Sequence, residues 1–552
     1  MTRNTRRVNS RLFRNRQTGE QDRQPRTTSP ENLLVTPPAG PILGKSAHCP
    51  HSSIAVRQFL GIPYAYAPVH GLRWQPPQPL PPWKTPFTAH VFGTPAPQRT
   101  SPLFEVTSPD GQPLENEDCL YLNIYAPASS GNAPLPVMLW IHGGSFYLGA
   151  ASQSLYSGNT LAASGRAIVV TINYRLGALG FLRLCDVSGI SATGNEGLQD
   201  QVAALRWIKS NIHAFGGDPD NITLFGESAG GMSIACLLAA EPLLADTSGG
   251  RRERLFHKAI IQSGNPAALH SIDDANDIAD AFCHHLKTIC GKRDPGAATT
   301  AEILQAQDAI LADPRIESHW GQLPFKPVLD GAVIPDAPLD ALQRGASADI
   351  ALLAGSNLEE WNLFSAARAE SFTLDEQQIR TLLKARLPEP LINEVLPHYH
   401  QRASLMESSP WPVWSRAWNQ LLTDMTFTLP GLRLLSAHKG PRFHYHFTQP
   451  LSAQPVLGAC HAAELGYVFG THGDTGLAHF YGAENEPQHL SATMREAWLR
   501  FAETGNPGED WPIFDTGGSR RFGEHPSGHS IDVQQLNSLW QTLGNEHLRG
   551  YL

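Results

Sequence analysis

The stretch that decides the fold is Ile222-Thr-Leu-Phe-Gly-Glu-Ser-Ala-Gly-Gly231, where a short apolar run meets the pattern Gly-x-Ser-x-Gly. The residues that follow, 232–240, are small and apolar and are typical of a buried helix. A strand, a sharp turn and a helix in this order present a serine hydroxyl as a nucleophile. Glycines suit this turn because a Cβ would crowd the strained backbone beside the serine. We therefore interpret Ser228 as a candidate nucleophile.

Strand and helix patterns alternate along the rest of the chain. Apolar runs typical of buried parallel strands occur at 136–142, 167–174, 258–263 and 349–355, and a further strand pattern at 442–447. Helical patterns occupy 198–215, 270–345, 370–440 and 490–504. This alternation predicts an α/β fold, with a large, mostly parallel central sheet, helices on both faces and helical insertions around the active site.

The composition excludes several classes of protein. Hydrophobic residues make up 41% and charged residues 17%, which is typical of a globular protein with a sizeable core. The net charge of −9 and the lack of a basic patch in the body argue against nucleic-acid or membrane partners. No apolar run reaches the roughly 18 residues that a membrane span needs.

The seven cysteines are scattered, and no two form a Cys-x-x-Cys pair, so neither a zinc cluster nor thioredoxin-type chemistry is expected. We predict that most are reduced and buried; a single Cys283–Cys290 bridge remains an alternative.

Residues 1–40 differ from the body. Eight arginines and almost no apolar residues lie between Met1 and Arg26, which predicts a disordered tail rather than a folded segment. A nucleic-acid or membrane tether is the alternative. The tail lacks the apolar core of a secretory signal, so a cytoplasmic location is expected unless the start site is misassigned. Residues 41–552 are predicted to form one domain.

A serine nucleophile requires an oxyanion site, a base and an acid. His142-Gly-Gly-Ser145 ends a buried strand, and its backbone N–H groups, with that of Ala229, are candidates for the oxyanion site. The acid should follow the serine, and Glu359-Glu360 ends a later strand, although position alone does not choose between them. His461, on the loop after the strand at 442–447, is the candidate base. His461 and Glu464 could also bind a metal, but one histidine and one glutamate without further ligands are weak evidence for a metal site.

Several motifs together resemble the type-B carboxylesterase and cholinesterase family of α/β-hydrolases over residues 41–515, nearest in character to its bacterial para-nitrobenzyl-esterase-like members. The motifs are Phe59-Leu-Gly-Ile-Pro-Tyr-Ala65, Glu117-Asp-Cys-Leu-Tyr-Leu-Asn-Ile124, Trp140-Ile-His-Gly-Gly144, Asn173-Tyr-Arg-Leu-Gly177, Phe215-Gly-Gly-Asp-Pro219 and Phe225-Gly-Glu-Ser-Ala-Gly-Gly231. The resemblance implies an α/β-hydrolase fold and hydrolysis of carboxylic esters through an acyl-enzyme, without metal or organic cofactor.

The resemblance also implies residue roles. Ser228 matches the family's nucleophile and His461 its base. The family's acid segment aligns with residues 355–364 and selects Glu360, with Trp361 in place of the usual glycine. The oxyanion donors become the N–H groups of Gly144, Ser145 and Ala229.

Two departures from the family narrow the prediction. Secreted animal members of the family pair the cysteine that matches Cys119 with a second cysteine upstream. No cysteine lies between Arg57 and Cys119 in this chain, so Cys119 is predicted to be free. No tryptophan lies between Pro97 and Glu117 to bind choline, which argues against a cholinesterase. An apolar pocket for small to medium esters is predicted from Phe146, Tyr147, Leu323, Phe325, Trp361 and Phe364.

Two alternatives remain for the function. The same machinery could serve an amide, a carbamate or a bulky ester. A catalytically inactive member that acts in binding or adhesion is disfavoured, because such members lose part of the triad and this chain keeps it. The expected partner is a small-molecule ester, and the protein is expected to be a monomer or homodimer.

Overall fold

A computed structural model describes residues 33–49, 52–100, 106, 114–129, 133–244, 253–292, 294–406, 409–482, 488–524 and 532–548. Its centre is a sheet of ten strands. In chain order, β1 to β10 are Lys45–Ala47, Val56–Pro63, Tyr121–Pro127, Leu135–Ile141, Ile168–Ile172, Gly217–Glu227, Lys258–Gln262, Ala351–Asn357, Arg442–Phe447 and Arg520–Phe522.

The strands lie in the spatial order β10-β9-β8-β7-β6-β4-β5-β3-β2-β1. In this order, all neighbouring strands from β10 to β5 are parallel. The three remaining pairs, β5–β3, β3–β2 and β2–β1, are antiparallel. The mostly parallel sheet predicted from the sequence is confirmed. Because parallel strands end at one edge of a sheet, the loops after β4, β6, β8 and β9 gather there.

Helices cover the two faces of the sheet. In chain order, α1 to α17 are Asn159–Ala162, Gly177–Gly180, Glu196–Asn211, Ala229–Leu244, Ile272–Cys290, Thr300–Leu311, Pro314–Trp320, Pro338–Gln343, Asn362–Ala366, Glu376–Lys384, Glu389–Ser404, Val413–Thr423, Leu429–Ala437, Leu465–Phe469, Ala478–Tyr481, Gln488–Thr504 and Val533–Leu539. A π-helical turn, Asp424–Thr428, joins α12 to α13. The predicted helical segments are therefore present.

The central strands are apolar on both faces because they separate two cores. Leu139 and Ile141 of β4 lie in one core and Met138 and Trp140 in the other, as the two-residue period of a strand requires. In the second core the Trp140 ring packs against Phe225 and Phe469, with centroids 4.9 and 5.0 Å away. This packing fixes how far β4 and β6 extend relative to each other.

The described part of the chain begins at residue 33, and the remainder of the predicted tail, residues 1–32, lies outside it. Leu34–Val35 pairs with Ile42–Leu43, which pairs in turn with Phe87–Thr88, and Val35 is buried. Ordered structure therefore starts before Pro41, where the folded body was predicted to begin.

All seven cysteines are free, Cys119 among them, and Cys49, Cys119, Cys236 and Cys460 are buried. Cys283 and Cys290 both lie on α5, seven residues apart. A rise of about 1.5 Å per residue separates them by more than a disulfide spans. Within the described ranges, no helix is both long and apolar enough to cross a membrane.

Candidate active site

Ser228 occupies a strained turn between β6, which ends at Glu227, and α4, which begins at Ala229. Its φ of 54° is in the left-handed region, which residues other than glycine rarely adopt. The Ser228 N–H donates to the Gln262 carbonyl at 2.9 Å, and the Ser228 carbonyl accepts the first helical hydrogen bond, from Met232 N–H, at 2.8 Å. These bonds hold the serine at the helix N-terminus.

Glycine is required at Gly230 because the backbone of β4 passes close by. A Cβ there would lie 1.9 Å from the Ile141 carbonyl oxygen. A Cβ on Gly143 would likewise lie 3.1 Å from the Ser228 Cβ. The loop after β4 is therefore packed directly against the serine turn.

That loop carries three successive left-handed residues: Gly144 at φ 109°, Ser145 at 56° and Phe146 at 63°. The Gly144 carbonyl accepts from the N–H groups of Tyr147 and Leu148 at 3.1 and 2.8 Å, which closes the turn. Within the part of the chain that the structure describes, the N–H groups of Gly144, Ser145 and Ala229 donate to no protein acceptor. Three donors thus remain available beside the serine.

His461 and Glu360 meet at the same edge of the sheet. Nδ1 of His461 lies 2.7 Å from Oε2 of Glu360, whose side chain is fully buried. Oε1 of Glu360 accepts from the Ser263 hydroxyl at 2.5 Å and from the Asn357 N–H at 2.7 Å. Because Glu360 accepts hydrogen bonds at both oxygens, Nδ1 of His461 is the donor in the bond between His461 and Glu360.

Glu359 has a different set of partners. Its carboxylate accepts from the Ala459 N–H at 2.8 Å, and its own N–H donates to the Ala459 carbonyl at 2.9 Å. It therefore ties the β8 end to the loop that carries His461. Of the two adjacent glutamates, Glu360 is the one hydrogen-bonded to the histidine.

The second ring nitrogen of His461 faces the residue before the serine. Nε2 lies 3.0 Å from Oε1 of Glu227, a carboxylate that is buried beside the turn. Burial disfavours the charged imidazole, but the charges of Glu227 and Glu360 outweigh it and raise the pKa of His461 well above its usual range. Burial also raises the pKa of Glu227, against the opposing effect of His461.

A third buried carboxylate, Glu464, stands behind this pair. It accepts from the side-chain amides of Gln262 and Asn357 at 2.8 and 2.6 Å. Burial first, then the charges of Glu227 and Glu360, raise the pKa of Glu464 to about 8, so it holds a proton near neutral pH. The described residues include no cluster of three or more potential metal ligands, so the pair His461 and Glu464 has no further ligand there.

Aromatic rings border the histidine. The rings of Phe364 and Phe427 lie with centroids 5.2 and 4.6 Å from that of His461. Trp361 packs on Phe364 at 4.9 Å, and both line a cavity of about 440 Å³ between α7, α9, α10 and α12. Tyr147 lines a neighbouring cavity of about 210 Å³.

Phe146, Leu323 and Phe325 do not border these two cavities. Phe146 is fully buried and packs on Phe181, with ring centroids 4.8 Å apart. Leu323 and Phe325 are also buried in the main core. The prediction that these three residues line the pocket is wrong, because all three side chains are packed in the core and have almost no exposed surface.

Sequence reasoning missed Glu227, Ser263 and Phe427. Glu227 stands inside the Gly-x-Ser-x-Gly pattern, so its position beside the serine was available as a signal. Ser263 ends the predicted strand 258–263, which suggested its location but not its bond to Glu360. Nothing in the sequence around Phe427 pointed to the site.

The fold and this arrangement of serine, glutamate and histidine define an α/β-hydrolase. The chain belongs to the carboxylesterase family, whose family model matches residues 31–533. The predicted family, fold class and enzyme class are thereby confirmed, and the protein is a carboxylesterase.

Relatives and solved structures agree with this membership. The para-nitrobenzyl esterase of Bacillus subtilis (strain 168) is 37% identical over 489 residues, covering 87% of this chain and 92% of that protein. The cocaine esterase of Homo sapiens is 32% identical over 510 residues, covering 87% and 86%. The crystal structure of a carboxylesterase from Geobacillus stearothermophilus matches with a TM-score of 0.75 and 32% identity, over 92% of this chain and 100% of that one.

Proposed function

We propose that this carboxylesterase hydrolyses small to medium apolar esters through an acyl-enzyme on Ser228, with His461 as the base and Glu360 as the acid that orients it. The observation that supports these roles best is the 2.7 Å contact between His461 Nδ1 and Glu360, at the edge where Ser228 sits in its left-handed turn. The donor Nδ1–H leaves Nε2 as the nitrogen that receives the serine proton.

The reaction begins when the Ser228 hydroxyl attacks the ester carbonyl carbon and its proton moves to Nε2 of His461. Nε2 first has to leave Glu227, which lies 3.0 Å away, and turn toward the serine. The charge on Glu360 stabilises the imidazolium that forms. The C–O bond to the alcohol then breaks as Nε2 returns the proton to the leaving oxygen, and water repeats the sequence on the acyl-enzyme.

The oxyanion of the tetrahedral intermediate requires donors that are already in place. The N–H groups of Gly144, Ser145 and Ala229 meet this need, since no protein acceptor in the described chain competes for them. One such donor contributes about 3 kcal/mol to lowering the barrier. Because the donors are backbone groups, serine at position 145 serves as well as glycine.

Size and charge support the proposed substrate class. Cavities of about 440 and 210 Å³ are lined by Trp361 and Phe364 and by Tyr147; Ser228 lines neither, but Phe364 also contacts the ring of His461, so apolar space of small to medium size lies beside the proposed base. The buried carboxylates Glu227 and Glu360 repel an anionic group near the serine. Neutral, apolar esters are therefore favoured.

The test is hydrolysis of nitrophenyl esters from acetate to long acyl chains, before and after a serine-directed organophosphate, with mass mapping of the adduct. We expect activity that falls with increasing chain length and disappears as label appears on Ser228. Ser404→Ala, at the end of α11, is the matched serine control and should keep full activity and labelling. Label on Ser228 without ester turnover would instead favour an amide, a carbamate or a bulky ester as the substrate. The absence of both label and turnover would contradict the proposal.

A further inference from the structure

The helix that faces His461 contains an irregular turn. α12, the π turn Asp424–Thr428 and α13 follow one another without a break. A π turn accommodates one extra residue in a helix and recurs at functional sites. Pro430 explains its position, because proline has no N–H for the carbonyl of Thr426, four residues earlier, and its ring would collide with it.

The π turn presents Phe427 to the imidazole of His461. The two ring centroids are 4.6 Å apart, with 33° between the planes. Phe364 adds a second contact at 5.2 Å, and the rings of Phe364 and Phe427 are nearly parallel, at 12°. The imidazole is thus held by carboxylates at both nitrogens and by two phenyl rings.

Buried polar contacts anchor the start of the π turn. Asp424 accepts from the Tyr399 hydroxyl and from the Arg402 guanidinium, each at 2.8 Å. The indole N–H of Trp540 donates to the Tyr399 hydroxyl at 3.0 Å, so the C-terminal segment takes part. Asp424 and Tyr399 are both buried, so loss of the bond between them would leave the Tyr399 hydroxyl proton without this acceptor in the interior.

The same turn is also attached to the strand and loop that carry Glu360. The Trp361 N–H donates to the Thr423 hydroxyl at 3.0 Å, just before the turn. The Ser356 hydroxyl, on β8, donates to the Thr428 hydroxyl at 3.2 Å, at its other end. Acid and helix therefore keep a fixed relative position.

We propose that Phe427 is a positioning residue for His461 and that Asp424, through its bonds to Tyr399 and Arg402, fixes the π turn that presents it. This inference rests on the proposed function, in which His461 is the base. Nε2 of the imidazole has to move from Glu227 to Ser228, and the rings of Phe427 and Phe364, tilted by 33° and 45° to the imidazole, limit its other motions. Small errors in such geometry reduce rates strongly. A regular α-helix lacking the extra residue would rotate neighbouring side chains by about 100°.

The test compares Phe427→Ala with Phe427→Tyr, using nitrophenyl acetate, whose small acyl group makes little demand on pocket size. We expect Phe427→Ala to lower kcat about 10- to 100-fold, with KM changed less than about threefold. Phe427→Tyr should recover most of kcat because it restores a flat ring. Phe443→Ala, which removes a ring that packs on Phe501 from β9, is the matched control and should leave kcat unchanged.

Asp424→Asn tests the anchor, because it keeps the shape of the side chain and removes the charge that faces Arg402. We expect a smaller fall in kcat than for Phe427→Ala, with KM again nearly unchanged, on protein that thermal unfolding shows to be folded. The control is Asp515→Asn, which removes the exposed partner of Arg442. A folded Asp424→Asn variant with unchanged kcat would overturn the role of the anchor.

The outcomes separate this inference from the proposed function. If the wild-type protein neither turns over esters nor takes the organophosphate on Ser228, the proposed function itself fails. If the wild type is active and folded Phe427→Ala keeps kcat, the positioning role is wrong. A rise in KM alone, growing with acyl chain length, would also overturn it and make Phe427 a pocket wall.

Discussion

On the nucleophile side of the site, named for the proposed role of Ser228, this residue and its neighbours lie in two short stretches with left-handed backbone angles. On the acid–base side, named for the proposed roles of Glu360 and His461, these two residues are 101 residues apart and are held by buried side-chain hydrogen bonds. The first side depends on where a Cβ fits, and the second on which polar groups find partners. Substitutions should therefore break the two sides in different ways.

The largest expected effect is that of Ser228→Ala on turnover. Loss of the nucleophile should lower kcat on the order of 10⁵-fold or more, because the remaining groups cannot form an acyl-enzyme. The melting temperature should change little, since Ser228 lies at a turn and its hydroxyl forms no hydrogen bond to another residue in the described ranges. Nitrophenyl butyrate hydrolysis and thermal unfolding measure both effects. Activity near that of the wild type would contradict the assignment of the nucleophile.

On the acid–base side, Glu360→Gln should separate the two adjacent glutamates. The amide cannot hold His461 in the correct tautomer, so we expect kcat to fall about 10³- to 10⁴-fold. Glu359→Gln, the matched control, should keep kcat within about tenfold and mainly reduce stability, by roughly 1 kcal/mol, because its amide has one acceptor oxygen where the carboxylate accepts from both the Ala459 N–H and the Asn362 side chain. Steady-state kinetics on both variants decides; the reverse ranking would show that Glu359 is the acid.

Gly230→Ala tests the backbone-built side. Its Cβ would lie 1.9 Å from the Ile141 carbonyl oxygen, so β4 and the serine turn have to separate. We expect destabilisation of about 3 kcal/mol or more, or failure to fold, measured by denaturant unfolding. Gly431→Ala, on α13, meets nothing within 4 Å and should stabilise the protein by about 0.5 to 1 kcal/mol. Equal effects of the two alanines would contradict the steric account.

The smallest predicted effect is a shift in pH dependence. His461 has to be neutral to accept the serine proton, and Glu227 and Glu360 raise its pKa well above the usual range. Glu227→Gln removes one of these charges, which lowers the pKa of His461 and moves the acid limb of kcat/KM to lower pH. The measurement is a pH–rate profile of wild type and variant. An unchanged limb, or one that moves to higher pH, would show that Glu227 does not act on the base.

Prediction from sequence went furthest where structure is local. Strand 349–355 was displaced by only two residues from β8, and the helix 198–215 was found as α3 and the turn after it. The choice of Glu360 required a family resemblance, since the two glutamates are adjacent and equally acidic. Phe146 was misplaced because the turn that buries its ring depends on backbone angles that no pattern shows.

The sequence by itself indicated the nucleophile side, because glycines around Ser228 and after His142 allow left-handed backbone angles and a close approach of the backbone that a Cβ would prevent. It also determined the sheet, through apolar runs that have to be buried on both faces. Only the tertiary structure decided which carboxylates surround His461 and which groups hold protons, because charge and burial depend on neighbours far along the chain. The contact of Phe427 with His461 was likewise decided only by the tertiary structure, since it depends on how one irregular helix packs against the edge of the sheet.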